Sequence, residues 1–140
     1  MKETDTFHTV VMKKELTVKD VAGLICTGME GGIGYWCAIS GYIDPSPVPE
    51  HTIMGFDGET PPFRHNAWAL YDGGAVLLDI EDDGEEPKTV RLDKAALKRG
   101  LELMPKVAPR HWQDFINEND DATTGDVFIQ LCVLGEVVYG

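Results

Sequence analysis

Downstream of Asp93 the apolar residues fall at helical spacing, and this limits the architecture more than any other feature of the chain. Asp93 can cap a helix whose Ala96, Leu97, Leu101 and Met104 share one face, and Pro105 is expected to end it. Pro109 suits the first position of a short helix containing Trp112, Phe115 and Ile116, which 117–121 breaks. A last helix, capped by Thr123 or Thr124, would carry Val127, Phe128, Leu131 and Leu134 and stop at Gly135 before Val137-Val138-Tyr139. With that half helical, any sheet must come from residues before 93.

The upstream half supplies one more helix and several strands. Thr17 with Asp20 resembles a capping box, and Val21, Leu24, Ile25 and Gly28 form a stripe over 18–29, with Gly31 and Gly32 ending the helix by tolerating positive φ. Residues 7–16 carry Val10, Val11 and Leu16 and read as a first strand or an extended arm. Strands are predicted over 35–43, 67–71, 75–80 and 89–92, with Asp72-Gly73-Gly74 as the hairpin turn between the middle two. Residues 44–66 hold five of the eight prolines and read as a long loop, expected to be functional, mobile or hiding an edge strand over 51–56. The expected fold is α+β: a small antiparallel sheet of three to five strands, with the N-terminal helix and a helical C-terminal half packed on one face. At 140 residues, without repeat or linker, a single domain is expected.

Composition narrows the function classes. No apolar run approaches the roughly 20 residues that cross a bilayer, and Met1 is followed by Lys-Glu-Thr-Asp-Thr rather than an apolar leader, so a cytoplasmic location is expected. Cys26, Cys37 and Cys132 are odd in number and lack C-x-x-C spacing, and the four histidines are scattered. Neither a disulfide framework nor a zinc site is expected, and no metal or other cofactor. Net charge is −12; residues 72–86 hold seven acids and 114–126 hold five, neither with a base. Direct nucleic-acid binding is therefore disfavoured, since phosphate contacts need a basic surface. An acidic surface including Asp82, Asp83, Glu85, Glu86, Asp120 and Asp121 suits a basic protein partner, or serves solubility.

Two segments are candidates for ligand chemistry. Glu30-Gly31-Gly32-Ile33-Gly34-Tyr35-Trp36 joins close backbone approach to aromatic stacking surface, although its glycines follow a helix instead of opening one, as phosphate-binding loops do. Arg110 and His111 sit at a helix start, where an anion would also meet free N–H groups. The bland readings are a helix stop leading into a core strand, and a surface arginine beside a core Trp112. Glu118, Asp120, Asp121 and Asp126 lack the register of a calcium loop, and no Gly-x-Ser-x-Gly is present. Cys37 would be a nucleophile only with a histidine brought to it by the fold. The residues lean away from catalysis.

The segments Glu30-Gly31-Gly32-Ile33, Tyr35-Trp36-Cys37, Arg110-His111, Asp120-Asp121-Ala122, Thr124-Gly125-Asp126-Val127-Phe128, Gln130 and Gly135-Glu136-Val137-Val138-Tyr139-Gly140 together resemble an uncharacterised family of small phage and prophage proteins. The resemblance spans 16–43 and 89–140 and carries no catalytic residues. It implies a phage accessory protein that counters host antiviral defence by binding, acting inside the bacterial host. Its partner would be a host defence protein held through the acidic surface, or a small nucleotide held by Tyr35 or Trp36 with Arg110. Alternatives are a virion structural protein and a metal-assisted hydrolase. A homodimer is also expected, because strand edges and the apolar C-terminal segment need cover.

Overall fold

In a computed structural model, which describes residues 1–48, 66–81 and 86–140, the order is helix, strand, 3₁₀ turn, two strands and three helices. Helix α1 is Val18–Gly31, β1 Cys37–Ile43, β2 Ala75–Ile80 and β3 Lys88–Asp93; α2 is Lys94–Val107, α3 Pro109–Ile116 and α4 Ala122–Leu134. The strands form one antiparallel sheet in the order β1-β2-β3. Cys37 pairs with Ile80 and Ile43 with Ala75, with an irregularity between Ile39 and Gly41; Ala75 in turn pairs with Asp93. The α+β architecture is thus as expected, with three strands among the described residues. The proposed edge strand over 51–56, most of the proline-rich loop, and Asp82, Asp83 and Glu85 lie outside the described residues.

Local chemistry explains most boundaries. Thr17 Oγ1 accepts from Asp20 N at 3.1 Å while Asp20 Oδ2 accepts from Thr17 N at 2.9 Å, a complete capping box on α1. Asp93 Oδ1 accepts from Ala96 N at 2.9 Å at the start of α2, and Pro109 opens α3. Helix α4 lies at the centre, packed on α1, α2, α3 and β3. Its residues from Thr124 to Cys132 are all buried, so over this stretch it turns no face to solvent. The inward side chains of the sheet, Val76, Leu78, Ile80 and Leu92, share one core with Leu24 and Ile25 of α1, Leu97 and Met104 of α2, and Phe128, Ile129 and Leu131 of α4.

Four expectations are corrected. Residues 67–71 are not a strand: Asn66–Leu70 is a 3₁₀ turn, and β2 pairs with β1 and β3. Ala67, Trp68 and Ala69 are all buried, whereas a strand with one solvated face would turn alternate side chains outward. The chain folds back so tightly that a Cβ on Gly74 would lie 3.0 Å from the Trp68 carbonyl carbon. Residues 7–16, read as a strand or an arm, hold no strand, so the second of those two readings stands.

Pro105 does not end α2, which continues to Val107. Proline deprives only the Leu101 carbonyl of its donor, and Ala108 N still reaches Met104 O at 2.9 Å. The cap of α4 is Asp121, not Thr123 or Thr124. Its Oδ1 accepts from Thr124 N at 3.0 Å, and Thr124 Oγ1 accepts from Asp121 N at 3.3 Å. Gly32 caps α1 at φ −97°, so positive φ is not what glycine provides there. It provides room: a Cβ on Gly32 would stand 2.6 Å from Ala122 O.

The same need for room governs the α1–α4 crossing. A Cβ on Gly28 would lie 2.9 Å from Gly125 O, and one on Gly125 would lie 2.7 Å from Gly28 Cα. The two backbones touch, which brings the turn after α1 against the first turn of α4.

Candidate functional site

That approach collects most of the motif residues around one buried carboxylate. Asp126 Oδ2 accepts from Tyr35 Oη at 2.6 Å, and Oδ1 accepts from Trp36 Nε1 at 2.7 Å and Gln130 Nε2 at 3.0 Å. Gln130 is fully buried and holds the C-terminal tail. Its Oε1 accepts from Val138 N at 2.8 Å and Tyr139 N at 2.9 Å, and its Nε2 donates to Tyr139 O at 3.1 Å. A side-chain amide so placed offers the donor and acceptor of a backbone strand, and the tail docks on it as on a sheet edge. Tyr139 then stacks on Trp36, ring centroids 5.3 Å apart and planes 9° from parallel.

Gly31, Gly32, Tyr35, Trp36 and His111 all meet the first turns of α4. His111 Nδ1 lies 3.4 Å from Thr124 Oγ1, and a Cβ on Gly31 would be 3.7 Å from that of Ala122. Glu30 is exposed at the end of α1. Arg110 is exposed on the first turn of α3 and has no hydrogen bond or ion pair among the described residues. Trp36 is 2% exposed and its ring lies on Tyr139, so a base could stack on it only after the tail left. Asp126 places a carboxylate where a phosphate would be repelled. The knot is a set of mutually satisfied polar groups, the arrangement that fixes a unique packing.

The electrostatics of the knot hold the Tyr35 hydroxyl and the Cys37 thiol in their protonated forms near neutral pH. Tyr35 is 60% exposed as a residue, but desolvation of its hydroxyl where it meets Asp126, assisted by that bond, pushes the hydroxyl up to about 12. Burial, with the Asp126 charge second, pushes the Cys37 thiol up to about 12, so it stays protonated and non-nucleophilic near neutral pH. Burial also raises the Cys26 and Cys132 thiols. All three cysteines are free.

The two acidic runs divide between fold and surface. Asp72 pairs with Lys94 Nζ at 2.9 Å, which lowers its carboxyl below the usual range. Asp79 Oδ1 accepts from Thr89 Oγ1 at 2.6 Å. Asp121 serves as the cap of α4, and the bond from the Thr124 N–H lowers it. Glu81, Glu86, Asp114 and Glu118 are exposed.

Asp120 differs: it is half-buried and its carboxyl is raised, first by burial and then by the charges of Asp121, Glu118 and Asp114. With Glu118 it borders a groove of about 560 Å³ between α1 and the α3–α4 corner, whose other lining residues are Lys19, Asp20, Gly23, Thr27 and Phe115. Phe115 and Gly23 give this groove an apolar part, and Asp20, Glu118 and Asp120 give it three carboxylates against the single Lys19. Among the described residues no group of three or more His, Cys, Asp or Glu side chains is placed to hold a metal ion.

Sequence reasoning included Asp120 in an acidic surface but missed Asp20, Gly23, Thr27 and Phe115 as its neighbours. The signal for Asp20 was its helix cap, which conceals a second role. Glu118 did stand out by type, and its backbone is the one non-glycine φ above zero among the described residues, at 59°. No helix among those residues is long and apolar enough to cross a membrane. Comparison of the chain with protein-family models, with curated proteins and with solved structures finds no match in any of the three.

Proposed function

We propose that this chain is a phage-encoded binding protein without catalytic activity, which counters antiviral defence in the host cytoplasm by engaging a basic surface of a host defence protein. The observation that carries this reading is the groove lined by Asp20, Glu118, Asp120, Gly23, Thr27 and Phe115. A lysine or arginine side chain joins an apolar stem to a cationic head, and the groove offers an aromatic ring for the one and carboxylates for the other. Asp120 is held among like charges at a partly buried position, and an entering cation would relieve both penalties. The −12 charge of the whole chain would speed the encounter with a basic partner, with the acids of 72–86 adding to the long-range field. The phage setting rests on the resemblance of the motifs alone.

Nucleotide capture at Tyr35 and Trp36 is the weaker reading, because Tyr139 occupies the Trp36 ring and the Tyr35 hydroxyl is bound to Asp126, a carboxylate that stands in the place of a phosphate partner.

The test compares the parent chain with Glu118→Gln/Asp120→Asn, a pair outside the buried core. On a bacterial strain carrying an active defence system, expression of the parent should raise phage plating, and the pair should restore restriction. Association with the purified defence protein should slow by about tenfold for the pair and lose part of its salt dependence. Equal plating with parent and variant would reject the groove as the site.

A further inference from the structure

The arm ahead of α1 holds apolar side chains in water. Phe7, Val10, Val11 and Met12 each expose at least 74% of their surface, and no helix or strand includes them. Leu16, at the root of the arm, does pack against the core, so the arm leaves the domain from a fixed point. β-Branched and aromatic residues in this density favour a sheet as soon as a backbone partner is offered.

The sheet offers two edges. With the order β1-β2-β3, β1 and β3 each have one strand neighbour, and among the described residues no strand takes up the row of backbone donors and acceptors along the other side of either. On β1, Ile39 and Tyr42 pair with Leu78 and Val76, which are fully buried, yet they remain 38% and 40% exposed. The helical layer therefore stops short of this edge.

Charge separates the two edges. Residues 7–14 hold Lys13 and Lys14 and no acid, in a chain of net charge −12. β3 carries Lys88 and Arg91 against Asp93, which pairs with Arg91 at 3.5 Å, and the remaining positive charge repels such a strand, whereas β1 has no base. Asp44 follows one end of β1. Glu81 adjoins the other, its N–H donating to Trp36 O at 3.3 Å. An added strand in either direction would bring the lysines to an acid.

From these observations we infer that two copies of this chain exchange arms, residues 7–12 of one adding as a fourth strand along β1 of the other. Main-chain bonds supply the attachment, and alternate arm side chains cover Ile39 and Tyr42, as in strand-addition complexes. A two-fold axis satisfies both edges with the same contact. This inference is independent of the groove, which lies on α1 and α3.

Sedimentation equilibrium of the full chain across micromolar concentrations tests it, together with amide exchange of β1. The parent should approach twice the 15.4 kDa chain mass, with slow exchange at Ala38–Tyr42. Val10→Pro removes a backbone donor, and Ile39→Lys places a charge on the receiving edge; each should weaken the dimer at least tenfold and speed that exchange. The arm touches little of its own domain, so helical circular dichroism should be unchanged in Val10→Pro. A parent that sediments as a monomer throughout would overturn the inference. So would a dimer indifferent to Val10→Pro, or a monomer with protected β1, which would mean that the arm pairs with its own strand.

Discussion

The knot around Asp126 and the groove around Asp120 are built from similar residues and behave oppositely. In the knot a buried carboxylate receives three hydrogen bonds, and Gln130 uses both ends of its amide. In the groove a half-buried carboxylate lies among Asp114, Glu118 and Asp121, whose charges raise it further. Groups that satisfy one another inside a protein specify its packing, whereas like charges kept together at a surface oppose it. The contrast teaches that the motif-rich region is spent on the fold. The less conspicuous acidic corner is where a partner would find unmet electrostatic demand.

The hardest way to break the comparison is through the helix crossing that builds the knot. Gly125→Ala puts a Cβ into the backbone of Gly28, which cannot move as a side-chain tip would, and should cost about 3 kcal/mol in urea unfolding. A loss below about 1 kcal/mol would show that the crossing is looser than described. Gln130→Leu should cost about 2 kcal/mol, since it strands the Val138 and Tyr139 N–H groups and removes one donor from Asp126. The exposed tail groups can turn to water, which keeps the loss below that of the crossing.

The knot should also show at alkaline pH. Tyr35 and Cys37 have folded values near 12 against ordinary values of 10.0 and 9.0. The unfolded chain therefore loses these protons first, and stability should fall as pH rises from about 9 toward 12. Urea midpoints at neutral pH and at about pH 10.5 would measure it, and Cys37→Ala should flatten part of the slope.

The groove should give the smallest and opposite effect. Asp120 is raised in the folded state, so its charged form opposes folding at neutral pH and is relieved as pH falls through the folded value. Asp120→Asn should therefore be neutral or slightly stabilising at pH 7 while impairing partner binding. Acid titration of the parent should show a shallow gain followed by a loss. The loss comes below the ordinary value of 3.8, where Asp121, lowered by its cap bond, becomes protonated. Destabilisation by Asp120→Asn at neutral pH would place this residue with the knot instead.

Local signals were legible and tertiary ones were not. Thr17 with Asp20, Asp93 and Pro109 act within one helical turn, so spacing alone reveals them. The strand reading of 67–71 failed because five apolar residues carry no periodicity, and burial of three in succession is decided by Gly74 closing on Trp68. The glycine-aromatic turn and His111 both reach the first turns of α4, whereas Arg110 is exposed and makes no bond there among the described residues. What sequence could not reveal is that Tyr139 would occupy Trp36, or that Asp20 and Asp120 would border one groove. The first depends on how α1 crosses α4, and the second on how α1 lies against the α3–α4 corner.

The indole of Trp36 turns the knot into its own reporter. Its N–H lies 2.7 Å from a carboxylate oxygen and its ring rests on Tyr139. The indole proton should therefore resonate far downfield and exchange slowly with solvent, and the ring should contribute a strong near-ultraviolet dichroic band. The band should weaken when the tail lifts, whereas the downfield proton should persist until the packing around Asp126 opens. They allow tail detachment to be followed without labels, apart from global unfolding, and a ligand that enters by prying the tail away would announce itself in the spectrum.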